Sequence, residues 1–133
     1  MLALPLKTRR PELNKTWLLA LLCAVGSIAQ AAYPDKTITL VVPYPPGGST
    51  DILARKLAGP LGQRLGQTVL VENKAGAGTA IGAAAVAKSA PDGYTLLISS
   101  NTTFTVNAAL KNNLPYDPLK DFESIGLIGS SPL

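Results

Sequence analysis

From residue 37 onward, short apolar runs alternate with longer stretches in which apolar residues return at helical spacing. Thr37 to Val42 is almost continuously aliphatic, the pattern of a strand buried on both faces. Pro43, Pro45 and Pro46 end it and stiffen the loop after it. Leu53, Leu57, Leu61 and Leu65, with Ala54 and Ala58 beside them, predict a sheet-facing stripe on a helix that begins near Ser49 or Thr50. Arg55, Lys56, Gln63 and Arg64 fall off the stripe and are expected in solvent. Gly59-Pro60 predicts a kink or an interruption of that helix, and Gly66 its C-terminal stop.

The alternation continues. Thr68 to Glu72 reads as a second strand, Asn73 to Thr79 as a glycine-rich loop, and Ala80 to Ser89 as an alanine-rich helix able to pack closely. Pro91-Asp92-Gly93 is a turn signal, and Tyr94 to Ser99 a third strand that ends in the polar cluster Ser99 to Thr103. A short helix is expected around Val106 to Leu110, then a loop at Leu114 to Pro118, and Phe122 to Ile128 leads into a fourth strand. Repeated strand–helix order predicts the α/β class, a mostly parallel sheet flanked by helices with right-handed crossovers. Ligands of such sheets gather at the carboxyl ends of the strands. Loops 44–51, 73–79 and 99–103 all belong to that edge.

The first of these loops, Pro43-Tyr44-Pro45-Pro46-Gly47-Gly48-Ser49-Thr50-Asp51, carries the chemistry. A tight Gly-Gly turn entering a helix presents free backbone N–H groups, hydroxyls and the positive end of the helix dipole, which suits a carboxylate or phosphate. The same residues also suit a simple helix cap, with Asp51 as a first-turn partner of the dipole, and the loop alone does not separate the two readings. In the second loop Gly76-x-Gly78-x-x-x-Gly82 follows a strand in the manner of a dinucleotide fingerprint. The acid that such a site needs at the end of the next strand is replaced by Ser99 to Asn101, and no Walker-type lysine is present. A nucleophile such as Ser49 with Lys56 or Lys74 as base, or paired acids among Asp51, Glu72 and Asp92, lacks any spacing that fixes geometry; these carboxylates are expected to be solvated.

Composition narrows this further. The chain has 133 residues, a formal charge of +4 and 47% apolar residues, enough for one modest domain. The positive charge is concentrated at the start, in Lys7, Arg9, Arg10 and Lys15 against Glu12, and the remainder is nearly balanced, so nucleic acid is not an expected partner. With no histidine and a single cysteine, Cys23, the chain has no disulfide framework, Cys/His zinc site, Ser–His–Asp triad or Cys–His pair. No cofactor and no metal are expected.

Residues 1–31 form a separate segment. A basic start precedes the apolar run Trp17 to Ala29, which has the length of a signal-peptide core and is short for a membrane span. Ala29-Gln30-Ala31 supplies small residues for cleavage after Ala31, and the mature domain is 32–133. Leu22 before Cys23 departs from a lipoprotein signal, and Glu12 after Thr8-Arg9-Arg10 departs from a twin-arginine signal, so ordinary secretion is the expected route.

Several ordered motifs resemble one family. Tyr33-Pro34-Asp35-Lys36, Val41 to Asp51, Leu65-Gly66-Gln67-Thr68-Val69-Leu70-Val71-Glu72-Asn73, Gly76-Ala77-Gly78-Thr79 with Ile81-Gly82, Ala90 to Leu97, and Leu114-Pro115-Tyr116-Asp117-Pro118 with Asp121-Phe122 are similar to the Bug-type extracytoplasmic solute receptors, the substrate-binding proteins of tripartite tricarboxylate transporters. The resemblance implies a periplasmic binding protein with two α/β lobes that close on a small tricarboxylate, dicarboxylate, acidic amino acid or aromatic acid. It implies a non-enzymatic role, with the membrane components of the transporter as partners; a monomer is expected. The matching ligand loop is Tyr44 to Asp51, within which Tyr44, Pro45, Gly47, Gly48, Ser49, Thr50 and Asp51 are the candidates, joined by Gly78, Thr79, Ser100, Asn101 and Thr102. Family members are longer, and this sequence matches a first lobe that stops before the second, so a truncated or fragmentary member is expected. Two other readings stay open: a dinucleotide-dependent enzyme built on residues 76–82, and a secreted α/β module whose loops only cap helices.

Overall fold

The computed structural model describes residues 32–111 and 113–130, and the expected export segment with its cleavage point after Ala31 lies outside them. β1 (Ile38–Val42) is the middle strand of a three-stranded sheet, with β2 (Val69–Asn73) on one side and β3 (Thr95–Leu97) on the other. Both pairings are parallel, with Val42 opposite Asn73 and Val41 opposite Leu97, so all three strands deliver their following loops to one edge. The central position explains why all of β1 but Thr39 is aliphatic: Ile38, Leu40, Val41 and Val42 are all buried. β2 is an edge strand, and its Leu70 stands 54% exposed.

Alternate side chains of the sheet feed two cores. On one face Leu40, Val42 and Ile98 pack with Ala54 of helix α1 (Ser49–Leu65), supported by Tyr44, Val69, Val71 and Leu96. On the other, Ala80, Ala83 and Ala84 of helix α2 (Ala80–Ala87) pack with Tyr116, Leu97, Leu114 and Phe122. The alanines let α2 lie close to the sheet. Gly82 goes further: a Cβ there would stand 2.7 Å from both the Lys74 carbonyl oxygen and Pro43 Cβ.

Three sequence expectations are corrected. α1 is not interrupted at Gly59-Pro60 and runs unbroken to Leu65, with Gly66 left-handed at its end as expected. Pro60 removes the N–H that would bond the Lys56 carbonyl, but Lys56, Gly59 and Pro60 are all exposed, so water can take that carbonyl. Gly59 also has no Cβ to clash with the proline ring. Leu53 does not join the buried stripe: it is 41% exposed, and Ala54 and Asp51 are the buried positions of the first turns. No fourth strand forms among the described residues. Ile125, Leu127 and Ile128 are exposed and irregular, because a strand exists only with a neighbour to satisfy its N–H and C=O groups.

Candidate functional site

The three loops meet at the carboxyl edge of the sheet. The first turns sharply at Gly47, whose φ of 86° lies in the region that favours glycine, and enters α1 through Gly48. The first helical bond runs from the Ile52 N–H to the Gly48 carbonyl at 2.9 Å, so the N–H groups of Ser49, Thr50 and Asp51 have no acceptor within the helix. Among the described residues no side chain caps this end of the helix.

Asp51 is the keystone of this loop and is buried, contrary to its expected solvation. Its carboxylate accepts from the Gly47 N–H at 2.8 Å, from Asn73 Nδ2 at 2.9 Å and from Arg55 Nε at 3.0 and 3.1 Å. Hydrogen bonding from Arg55, then from the Gly47 backbone and Asn73, lowers its pKa to about 2. Asn73 also donates to the Tyr44 carbonyl at 3.1 Å, while its own oxygen accepts from Arg55 at 3.0 Å. One carboxylate, one guanidinium and one amide thereby tie loop one to the end of β2 and leave the charge locally balanced. Arg55 is occupied by Asp51 and Asn73, so the open positive character of this edge comes from backbone N–H groups rather than from a side-chain cation.

Tyr44 links the first loop to the third. Its hydroxyl is 2.7 Å from Ser100 Oγ and 3.4 Å from Ser99 Oγ. Burial alone raises the phenol pKa, but the hydrogen bonds with Ser100 and Ser99 outweigh it and the net displacement is downward. Ser99 and Thr103 share a short hydroxyl contact, and Thr103 donates to Thr79 Oγ1 at 2.8 Å, which brings in the second loop. That loop is a 3₁₀ turn, Ala77–Thr79, at the start of α2.

The structure thus brings together most of the residues singled out by sequence. Pro45, Gly47, Gly48, Ser49, Gly78, Ser100 and Asn101 are exposed on this edge, with Tyr44, Thr50 and Thr102 half-buried. Two of the set face inward: Asp51 spends its carboxylate within the loop, and the buried Thr79 turns its hydroxyl to Thr103 and Asn107. Sequence reasoning missed Thr103, Asn107 and Tyr116, which form the buried polar floor below the loops. The signal available was a four-residue spacing from Thr103 to Asn107 across a segment read as loop and short helix. Among the described residues, no three of His, Cys, Asp and Glu come together, and no helix is long and apolar enough to cross a membrane.

Comparison with known proteins places this geometry. The model of the tripartite tricarboxylate transporter family receptor matches residues 53–133. Protein BugT of Bordetella pertussis is 46% identical over 129 residues, covering 91% of this chain but 40% of BugT. The structure of the periplasmic binding protein BugD superposes with a TM-score of 0.67 at 45% identity, over 71% of this chain and 31% of that one. MatC from Rhodopseudomonas palustris, solved with bound malate, gives a TM-score of 0.65 at 42% identity, over 68% of this chain and 31% of that one. The chain therefore spans less than half the length of the relatives it matches.

Proposed function

This chain belongs to the tripartite tricarboxylate transporter receptor family, and from that premise we propose that it captures a small organic carboxylate for such a transporter, in the periplasm, without catalysing a reaction on it. The observation that carries this reading is the convergence of the Gly47–Asp51 turn, the Gly76–Thr79 turn and Ser100–Thr102 at one sheet edge, where the N–H groups at the start of α1 have no acceptor within the helix and no side-chain cap among the described residues. A carboxylate fits this arrangement better than a phosphate. The cradle offers N–H and O–H donors and a helix dipole of about half a charge, and Arg55 is committed to Asp51. A monoanionic group needs no more compensation than that, whereas a dianionic phosphate ordinarily recruits a lysine or arginine. The malate held by MatC supports the same class. Membrane components of the transporter are the partners that the family implies.

Calorimetric titration of the full chain with malate, citrate, glutamate and nicotinate tests the proposal, with a hexose and a nicotinamide dinucleotide as contrasts. Saturable heat with at least one organic acid and none with the contrasts is expected. Binding of the sugar or dinucleotide alone would overturn it.

A further inference from the structure

We propose that Thr103, Asn107 and Lys111 form a three-rung clasp that holds the second loop in its binding shape, and that Asn107 is its principal positioning residue. This deepens the carboxylate reading and rests on it. The second loop is the most contorted segment among the described residues. Gly76, Ala77, Gly78 and Thr79 all have positive φ, at 137°, 48°, 64° and 77°. For alanine, and more so for the β-branched threonine, that backbone is disfavoured and persists only where surrounding contacts impose it. The run ends where left-handed Thr79 meets right-handed Ala80 at the start of α2, a junction of opposite hands in which successive N–H groups turn toward a common point, the concave form that receives anions.

The contacts that impose it come from one stripe of the neighbouring segment. Thr102–Val106 forms a π-type turn that continues into helix α3 (Asn107–Leu110). Residues 103, 107 and 111 succeed each other at four-residue steps along it and grip the loop in reverse order. Thr103 donates to Thr79 Oγ1 at 2.8 Å. The Asn107 amide donates to the Gly78 carbonyl at 2.7 Å and to Thr79 Oγ1 at 3.1 Å. Lys111 Nζ donates to the Ala77 carbonyl at 2.5 Å. Three successive residues are thus held through oxygens, the Ala77 and Gly78 carbonyls and the Thr79 hydroxyl, so the clasp itself uses none of the turn's backbone N–H groups. Asn107 is 4% exposed and Thr103 fully buried, and Tyr116 fixes the floor by donating to the Thr103 carbonyl at 2.6 Å. A Cβ at Gly78 would come within 3.2 Å of Lys111 Nζ, so a side chain there would push on the outer rung as well as strain the φ of 64°. None of these side chains needs to touch the ligand. Their work is to make a strained loop the resting state.

The test combines two variants with two readouts on the full chain. Asn107→Leu removes the central donor at similar volume, and Lys111→Met removes the outer rung at a partly exposed site where folding is not at risk. Amide hydrogen exchange in the ligand-free protein reads the clasp without any ligand. Exchange at residues 77–80 should accelerate about tenfold or more in either variant while β1 amides keep their protection. Malate affinity, by calorimetry, should fall about tenfold for Asn107→Leu and less for Lys111→Met, with Lys111→Arg recovering the wild-type value. Unchanged exchange at 77–80 in Lys111→Met and Asn107→Leu would overturn the clasp. Accelerated exchange with undiminished affinity would overturn its positioning role. A wild-type chain that binds no organic acid would count against the carboxylate reading, and the exchange data would still decide whether the clasp exists.

Discussion

Gly82→Ala is the substitution for which propensity and packing predict opposite signs. In a free helix it would stabilise by about 1 kcal/mol, because alanine is the better helix former. Here the new Cβ would lie 2.7 Å from the Lys74 carbonyl oxygen, 2.7 Å from Pro43 Cβ and 3.0 Å from Pro43 Cα. Two of these three are backbone atoms, so no flexible side-chain tip can swing aside. Restoring ordinary contact at 3.4 Å requires α2 to lift by about 0.7 Å from both strand ends. Overpacking of this kind costs about 1–3 kcal/mol, centred at about 2, so after the propensity gain the net effect should be a destabilisation of about 1 kcal/mol. Pro43 opens the first loop and Lys74 lies in the second, so the same lift should spread the two loops and weaken carboxylate binding. Urea unfolding followed by far-UV circular dichroism measures the first effect. With a slope of roughly 1–3 kcal/mol per molar, the midpoint should fall by roughly 0.3–1 M. Ala85→Gly, on the exposed side of the same helix, measures propensity alone, at about 1 kcal/mol. An unchanged or raised midpoint for Gly82→Ala would refute the close packing of α2 against the loop stems.

Acid should undo the first loop in a definite window. The folded pKa of Asp51 is lowered to about 2 from 3.8, so its contribution is fully present above pH 4 and is lost as the pH falls toward 2. Asp92, held down first by the Tyr94 N–H, and Asp117, held down first by the Leu119 N–H, act in the same direction. Asp51→Asn should lower stability at pH 7 and flatten the decline between pH 4 and 2, which an acid titration of the urea midpoint would show. Gly47→Ala places a side chain in open space but at a φ of 86°, so its cost is conformational, about 1–2 kcal/mol. Melting with and without malate should show a modest loss of stability and a larger loss of the ligand-induced shift.

Local features were readable from the sequence wherever a physical rule acts within one segment. β1 announced itself because a central parallel strand is aliphatic on both faces, and the three loops followed from strand order alone. What escaped depends on contacts between segments. Asp51 and Arg55 are visibly one helical turn apart, but nothing in their own neighbourhood shows that Asn73 completes the cage and buries the carboxylate. Thr103 read as one of a polar cluster, Asn107 as part of a short helix and Tyr116 as a loop residue, and nothing local joined them, since their partners lie in the Gly76–Thr79 turn and in each other. The missing fourth strand and the exposed Leu53 teach the same lesson from the apolar side. Hydrophobic pattern says that a segment is able to be buried, and the neighbour that would bury it belongs to a different part of the chain.

The most direct test of the central claim is an amide NMR titration of the full chain with malate, read residue by residue. Saturable shifts concentrated at Gly48, Ser49 and Thr50, at Gly78 and at Ser100 to Thr102 are the predicted result, with the far ends of the strands unaffected. Saturable shifts confined to α2 and residues 113–115, or no saturation at these loops with any organic acid, would contradict it.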